Sequence, residues 1–267
     1  MKKTVVNRQK IVIRRDLLPE GSLRVAFLTD MHNACGPEES EFLFHALRRY
    51  RPDLVLVGGD MLIAAPGYGP EPARSFMLRL ADEFPVYAAS GNHEYRSRLY
   101  PEVYGSLYRD YMVPLRKAGV HFLGNHVSDL WIRGLPVRLI GFNAGTRYYQ
   151  RFRRCRMEPE MLFNRLGRPP ADEVSILLAH NPYYFRTYYA YGADLTLCGH
   201  CHGGIARLGK TRGLVSPDFR IFPKYVHGLT ERNGKYLMVG AGLGEHTIPF
   251  RIHNPRELVA LDILVNP

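Results

Sequence analysis

Short runs of apolar residues alternate with amphipathic stretches over the first third of the chain. Residues 23–29, 54–57 and 86–89 are dominated by apolar side chains, which predicts buried β-strands. Residues 38–49 carry apolar side chains at positions 42, 43, 46 and 47, the spacing of one helical face, and residues 71–84 are also predicted to be helical. This β-α-β-α-β order is typical of parallel strands in a sheet that helices cover.

The pattern continues less regularly toward the end of the chain. Further apolar runs predict strands at 11–13, 120–123, 137–142, 174–179 and 194–198. A short helix is predicted at 182–191, and the aromatic, basic stretch 95–118 is predicted to be helical in its second half. Residues 236–239 and 258–265 are predicted to close a second sheet. No Pro/Ser-rich linker or internal repeat interrupts the sequence, so we predict one domain over residues 1–267.

Five of the predicted strands end at residues of metal-ligand type. The five segments are Asp30-Met31-His32, Gly59-Asp60, Gly91-Asn92-His93-Glu94, His180-Asn181-Pro182 and Gly199-His200-Cys201-His202. Sheets of this class place their ligands at the carboxyl ends of the strands. Taken singly, each segment is more often an ordinary turn or a hydrogen-bonded histidine. The prediction of a site therefore depends on all five segments occurring together.

The residue types and their spacing favour divalent metal ions. Aspartate and histidine are ligands of choice for such ions, and asparagine adds a neutral oxygen. A single residue separates Asp30 from His32 and His200 from His202, which places both side chains of each pair on the same side of an extended segment. The flanking glycines allow sharp backbone turns close to the ions. We therefore predict a metal site at this edge of the sheet.

In this order the segments resemble the blocks D-x-H, G-D, G-N-H-[D/E], H and G-H-x-H of the calcineurin-like metallophosphoesterases. The resemblance extends from about residue 23 to residue 265 and includes the sequences AHNP at 179–182 and HGG at 202–204. These additional features are similar to a bacterial branch of the family. That branch holds certain UDP-diacylglucosamine pyrophosphatases and membrane-associated phosphodiesterases.

The resemblance implies a role for each residue of the five segments. Asp30, His32 and His202 would hold one ion, Asn92, His180 and His200 would hold a second, and Asp60 would bridge them. The implied cofactors are two divalent metal ions, with Mn first and Zn, Fe, Ni or Mg as alternatives. A hydroxide between the ions would attack the phosphorus, and His93 would act as general acid toward the leaving group. The resemblance also suggests that Glu94 orients His93 or a ligand and that Asn33 touches the phosphate. We add His246 as a candidate to line the site.

The fold and reaction that the resemblance implies are specific. The fold is an α/β, four-layer αββα sandwich of two mixed β-sheets flanked by helices. The reaction is hydrolysis of a phosphomonoester, phosphodiester or pyrophosphate bond, with the latter two favoured. A non-catalytic binding module on the same fold is the alternative from another functional class. The completeness of the ligand set argues against it.

The net charge of the chain indicates the type of substrate or partner. The chain has 36 Lys and Arg against 25 Asp and Glu, a formal net charge of +11. Such a balance favours an anionic phosphorylated small molecule, a lipid-linked substrate, an acidic membrane surface or nucleic acid. A nuclease is therefore an alternative reading of the same site. The basic, aromatic segments 95–111 and 147–156 are candidates to cap the site and contact the substrate, although such segments are more often solvated surface.

The four cysteines, at 35, 155, 198 and 201, are too few and too irregularly spaced for a disulfide framework. No apolar run is long enough for a signal-peptide core or a membrane span. We therefore expect a cytoplasmic location, with peripheral contact to a membrane as an alternative. Residues 198–202 match the C-x-x-C-H pattern of haem attachment, but that interpretation leaves the other four segments unexplained.

Overall fold

The computed structural model describes residues 4–150, 155–204, 206–209, 211–216, 220–245 and 251–267. Within these residues, one six-stranded sheet has the order β1-β14-β2-β3-β4-β5. Its strands are β1 (Thr4–Arg14), β2 (Gly21–Leu28), β3 (Leu54–Val57), β4 (Val86–Ala88), β5 (His121–Phe122) and β14 (Arg256–Asn266). The sheet is mixed, because β14 runs antiparallel to β2 while the other neighbouring strands are parallel.

The second six-stranded sheet has the order β12-β13-β9-β8-β7-β6. Its strands are β6 (Val127–Ile132), β7 (Leu135–Phe142), β8 (Val174–Ala179), β9 (Leu195–Cys198), β12 (Gly228–Arg232) and β13 (Lys235–Val239). The four central strands are parallel, and each edge strand is antiparallel to its neighbour. A small hairpin, β10 (Arg207–Leu208) and β11 (Arg212–Gly213), lies outside both sheets.

Helices cover the outer face of each sheet. The helices are α1 (Pro37–Tyr50), α2 (Glu71–Glu83), α3 (Asn92–Leu99), α4 (Pro101–Tyr104), α5 (Leu107–Lys117), α6 (Glu160–Leu166) and α7 (Phe185–Tyr191). Buried side chains of α1, α2 and α5 pack with one face of the first sheet, and those of α6 and α7 pack with the second sheet. Across the described residues, no helix combines the length and apolar character that a membrane crossing requires.

A third apolar cluster lies between the two sheets. Phe27 and Leu56 of the first sheet share it with Leu139, Leu178 and Leu197 of the second, and each of these side chains is buried. The alternation of side chains along a strand explains why one sheet serves two cores, since successive residues point to opposite faces. The predicted αββα sandwich of two mixed sheets is confirmed.

Three predicted elements differ from the structure in extent or place. The strand predicted at 11–13 extends over Thr4–Arg14, because all eleven of its residues pair with β14. The stretch predicted to become helical only in its second half is helical from Asn92. The prediction that 258–265 closes the second sheet was wrong, because β14 lies between β1 and β2 in the first sheet. An apolar pattern identifies a strand but not its partner.

One buried aspartate stabilises the second sheet at the end where β9 begins. The predicted metal-ligand residues lie at the other end of the sheet, after β8 and β9. Asp194, directly before β9, accepts hydrogen bonds at Oδ2 from the backbone N–H and hydroxyl of Ser175, both at 2.9 Å. Its Oδ1 pairs with Arg15 at 2.9 Å and with Lys235 at 2.8 Å. Asp194 is 1% exposed. It therefore ties β8, β9, β13 and the end of β1 together.

Replacing Asp194 by Asn is expected to lower the free energy of unfolding by about 3 kcal/mol, because a buried group then faces donors and cations without its charge. Urea unfolding followed by circular dichroism measures the loss. The matched control is Asp262→Asn, whose 41% exposed side chain meets Arg24 at 3.9 Å and should cost less than about 1 kcal/mol. Equal losses in the two variants would contradict the role given to Asp194.

Candidate metal centre

The carboxyl ends of β2, β3 and β4 meet those of β8 and β9, and all five predicted segments gather there. The two sheets are joined at this point by backbone contacts as well as by side chains. The N–H of His200 donates to the Asp30 carboxylate at 2.9 Å, and Nδ1 of His180 lies 2.8 Å from the Gly58 carbonyl. The sequence segments, which are far apart along the chain, therefore form one cluster.

One group of potential ligands contains Asp30, His32 and His202. Nε2 of His202 lies 3.1 Å from Nε2 of His32 and 3.5 Å from Oδ1 of Asp30. Nε2 of His32 lies 3.9 Å from the same Asp30 oxygen. All three side chains are buried. Three donor atoms thus converge on one small space.

A second group contains Asp60, His180 and His200. Nε2 of His180 lies 3.1 Å from Oδ2 of Asp60, and the same carboxylate oxygen lies 3.9 Å from Nε2 of His32. Asp60 also belongs to an overlapping group with His32 and His93. The Asp60 carboxylate therefore lies between the first group and the second.

These donor atoms fit divalent cations on two counts. Two ligands held at about 2.0–2.2 Å from one ion lie roughly 3.0 to 3.5 Å apart, close to the separations between Asp60 and His180 and between His202 and its neighbours. In addition, Oδ1 of Asn92 is a buried atom without a hydrogen-bond partner among the described residues. Buried polar atoms of that kind are rare unless an ion or water satisfies them.

The backbone at the centre is strained where the ligand residues lie. Twelve non-glycine residues among those described have positive φ, and half of them belong to the predicted site. These are Asp30, His32, Asn33, Asp60, His200 and His202, with φ between 48° and 67°. Left-handed backbone at such residues costs of the order of 1 kcal/mol each and persists where surrounding structure or function requires it. Half of the strained non-glycine residues thus lie at the predicted site.

Two glycines permit the close approach of the Asp60 loop to the start of α3. A side-chain carbon at Gly59, where φ is +96°, would lie 2.1 Å from the backbone nitrogen of Gly91. One at Gly91 would lie 2.2 Å from Oδ1 of Asp60. Any other residue at either position would push Asp60 away from His180.

Glu94 holds the same loop from beneath. Its buried carboxylate accepts hydrogen bonds from the backbone N–H groups of Asp60 and Met61, both at 2.8 Å, and of Gly91 at 2.9 Å. Leu62 donates a fourth at 3.4 Å. Burial and the nearby Asp60 raise the pKa of Glu94, while the backbone N–H groups oppose that rise. Glu94 thus positions Asp60 rather than facing a ligand.

Replacing Glu94 by Gln is expected to lower the free energy of unfolding by about 3 kcal/mol, because an amide NH₂ group would face backbone donors. Affinity for the metal should fall by about 10- to 100-fold, as is usual when a supporting contact of a ligand is lost. Thermal unfolding and metal titration measure the two effects. Glu102→Gln, at an exposed position of α4, is the control and should change neither.

Charge in the centre keeps the pKa of the two carboxyl groups low and raises the pKa of His180. Burial by itself would raise the pKa of Asp30, but the imidazoles of His202 and His180 hold it well below its usual range. Burial likewise opposes ionisation of Asp60, and His180 and His93 lower its pKa. Burial lowers the pKa of His180, but Asp60 and Asp30 outweigh it and raise that pKa to about 10. The site therefore attracts positive charge.

The neutral rings of His180 and His93 carry their protons on opposite nitrogens. The Gly58 carbonyl accepts from Nδ1 of His180, so the lone pair of the neutral ring is on Nε2, 3.1 Å from Oδ2 of Asp60. At His93 the Ala64 N–H donates to Nδ1 at 2.9 Å, so the proton of the neutral ring is on Nε2. Burial lowers the pKa of His93 to about 4. In the neutral state, His180 therefore presents a lone pair at Nε2, whereas His93 presents an N–H at the same ring position.

The remaining predicted site residues lie in different surroundings. Asn33 binds the segment that leads into α2, donating to the Gly69 carbonyl at 3.2 Å and accepting from the Ala73 N–H at 3.3 Å. His246 lies outside the described residues, as do positions 151–154 of the predicted 147–156 segment. The start of that segment, the 3₁₀ turn Thr146–Tyr149, packs against α3 and so meets the 95–111 segment beside the centre.

Two tyrosines border the centre. The ring of Tyr149 lies 5.2 Å from the ring of His200, and the ring of Tyr183 lies 6.2 Å from the same ring. Tyr149 belongs to a segment that the sequence singled out, but Tyr183 does not. Its only signal is its place in the 3₁₀ turn Pro182–Tyr184 directly after His180, where Asn181 accepts from the Tyr183 N–H at 3.0 Å.

Several known proteins are similar to this chain over most of its length. The pattern of one family, described as calcineurin-like phosphoesterase, matches residues 23–204. An uncharacterised metallophosphoesterase of Aquifex aeolicus (strain VF5) is 28% identical over 262 residues, covering 96% of this chain and 90% of that protein. Phosphodiesterase YaeI of Escherichia coli (strain K12) is 25% identical over 204 residues, covering 73% of this chain and 64% of that protein.

Two solved structures have a similar fold. Protein TT1561 of Thermus thermophilus superposes with a TM-score of 0.50 at 10% identity, covering 84% of this chain and 92% of that one. The NAD nucleotidase NadN of Haemophilus influenzae superposes with a TM-score of 0.52 at 15% identity, covering 85% of this chain and 46% of that one. At such identities the likeness concerns the fold alone.

Proposed function

The chain belongs to the calcineurin-like phosphoesterase family and is a metal-dependent phosphoric ester hydrolase, and from that premise we propose that it cleaves phosphodiester or pyrophosphate bonds at two divalent cations. The observation that carries the proposal is the pair of ligand groups with the Asp60 carboxylate between them. The relative named as a phosphodiesterase supports diester chemistry.

We assign the ligands from the two groups. Asp30, His32 and His202 would hold one cation, and His180 and His200 the other. Asn92 would add its Oδ1 to the second set, since that buried oxygen has no hydrogen-bond partner among the described residues. Asp60 would contact both cations. Mn²⁺ is the first ion to test, because the family resemblance implies it. The mixed imidazole and carboxylate donors also suit Zn²⁺, Fe²⁺, Ni²⁺ or Mg²⁺.

Two divalent cations, when bound, polarise the phosphoryl oxygens and make an attacking water acidic near neutral pH. The chain itself contributes orientation and charge. Asp30 and Asp60 set the charge of the site and fix His180 and His202 by direct contact. The backbone N–H of His93 donates a hydrogen bond to Oδ1 of Asp60 at 2.7 Å, which holds His93 beside the proposed ligands.

His93 is proposed to act on the leaving group from Nε2. The Ala64 N–H occupies the lone pair of Nδ1, so a second ring proton would meet a donor head-on. That contact favours the neutral ring, which stabilises developing negative charge by donating a hydrogen bond. Full proton transfer to the leaving oxygen, the role that the resemblance implied, would require the doubly protonated ring.

Our proposal for the substrate class rests on the resemblance of the sequence to the bacterial branch of the family. We favour small or lipid-linked diesters and pyrophosphates over phosphomonoesters and nucleic acid. Purified protein loaded with Mn²⁺ should be tested on nitrophenyl mono- and diesters, nucleotide-sugar lipids, cyclic nucleotides and a single-stranded oligonucleotide. Hydrolysis of a diester or pyrophosphate that chelation abolishes is the expected result. Cleavage of the oligonucleotide alone would favour a nuclease, and inactivity on the whole panel would contradict the proposal.

A further inference from the structure

A side pocket of about 790 Å³ opens next to the metal centre. Three segments of five residues line it, 155–159, 183–187 and 220–224. A cavity of this size accommodates an organic ligand of roughly drug size, far larger than a phosphate group. Neither the five sequence segments nor the proposed ligand set accounts for the side pocket.

Tyr183 connects the side pocket to the centre. Its ring lines the pocket and lies 6.2 Å from the ring of His200. On the same ring, the guanidinium carbon of Arg220 lies 3.8 Å from the centroid. Both distances start from the centroid of the Tyr183 ring. The guanidinium carbon of Arg220 therefore lies at most 10.0 Å from the centroid of the His200 ring. A molecule whose phosphate lies at His200 can therefore extend to Arg220, at the edge of the pocket.

The charge of the side pocket is positive. Its lining contains Arg156, Arg186, Arg220 and Lys224 against the single acid Glu158. Glu158 forms an ion pair with Arg156. Arg186 and Lys224 are exposed, and neither has a carboxylate partner among the described residues. An anionic group in the pocket would meet several cations and one neutralised acid.

Aromatic and aliphatic side chains form much of the remaining wall. Phe185 packs against Tyr225, with ring centroids 4.2 Å apart. The lining residues Ile221 and Phe222 are 72% and 57% exposed. Phe222 and Tyr225 both have left-handed backbone, with φ of 49° and 58°. Bulky residues adopt that conformation rarely, at a cost of about 1–3 kcal/mol. The exposed Ile221 and Phe222 side chains thus contribute apolar surface to the pocket lining.

We infer that the side pocket binds the organic part of the substrate, and that it selects an apolar or aromatic body carrying a second negative charge within about 10 Å of the scissile phosphate. This inference rests on the proposed function, since it concerns the same reaction. A small alkyl phosphoester would leave the pocket empty. A neutral aromatic ester would use its apolar wall but not its cations.

The test compares two p-nitrophenyl phosphodiesters that differ by one carboxylate. One has an unsubstituted phenyl group as its second ester, and the other has a 4-carboxyphenyl group. The double variant Arg186→Gln with Lys224→Gln removes two pocket cations. The matched control, Lys10→Gln with Arg49→Gln, removes two exposed cations outside the pocket lining.

The pocket variant should raise KM for the carboxylate substrate by about 10-fold, as expected for two partly solvated charge pairs. KM for the phenyl substrate should change by less than about 2-fold, and kcat of both should stay the same. The control should leave the ratio of the two KM values unchanged. Equal effects on both substrates, or the same effect in the control variant, would overturn the inference.

Calorimetry with the uncleavable phosphonate counterparts of both compounds separates this inference from the proposed function. If the wild-type protein binds the carboxylate phosphonate more tightly and the pocket variant loses that preference, the pocket assignment holds even where no ester is cleaved. A wild-type protein that cleaves the esters but shows no preference in either assay would contradict the pocket assignment alone. Binding without any cleavage would contradict the proposed function alone.

Discussion

Replacing Asp60 by Asn should remove at least one of the two proposed cations and lower kcat/KM by roughly 10³-fold, equivalent to about 4 kcal/mol of transition-state stabilisation. Asn keeps the shape of the side chain, and its oxygen can still accept from the His93 N–H. The change therefore falls on Oδ2, where an amide would face Nε2 of His180 across 3.1 Å. Elemental analysis after equilibration with Mn²⁺ gives the stoichiometry, and diester hydrolysis gives the rate.

The control for this variant is Asp129→Asn, which removes a carboxylate at a 56% exposed position paired with Arg138. It should bind metal and turn over substrate as the wild-type protein does. An Asp60→Asn protein with full metal content and a normal rate would contradict the position of Asp60 between two cations. A protein that loses both cations together would show that the two ligand groups do not fill independently.

Replacing His93 by Ala should leave the metal content unchanged and lower kcat by about 10²- to 10³-fold, the usual loss when one hydrogen-bond donor to developing charge is removed. The reason is the proton arrangement, because the Ala64 N–H occupies Nδ1 and leaves Nε2 as a donor. Metal content and steady-state rates measured on one preparation separate this result from that of Asp60→Asn.

A third substitution distinguishes hydrogen bonding from proton transfer at position 93. His93→Gln offers an amide donor but no transferable proton, so partial recovery of kcat relative to His93→Ala supports hydrogen bonding. His45→Ala, at an exposed position of α1, controls for loss of a histidine. Metal loss in His93→Ala equal to that in Asp60→Asn would refute the separation of a donor from the ligands.

Local sequence features are sufficient to predict that the proposed ligand residues lie close together. Asp30, Asp60 and His180 each directly follow a strand or its turn, and the carboxyl ends of parallel strands share one edge. The regular order of parallel strands therefore predicts that these residues lie close to one another in space. Their clustering in space follows from that order, while their roles toward metal and substrate remain proposals.

Contacts between residues that are far apart in the sequence could not be predicted from local sequence features. The apolar pattern of β14 could not indicate that it pairs with β1 and β2, since alternation encodes a face and not a neighbour. The contact of Ala64 with His93 joins a loop to the first turn of α3, and their approach requires the folded sheet. The side pocket draws on segments that carry no recognisable motif, and only their packing brings Arg220 onto Tyr183.

The place of β14 imposes an order on assembly of the first sheet. β1 pairs with β14 alone among the described strands, and β2 has β14 as its neighbour on that side, so both await a segment at the far end of the chain. During synthesis β2 would present an open row of backbone donors and acceptors, a template for wrong pairing. Long-range closure of this kind is slow. We therefore expect refolding yield to fall as protein concentration rises, with the unfilled gap between β1 and β2 as the point where chains associate.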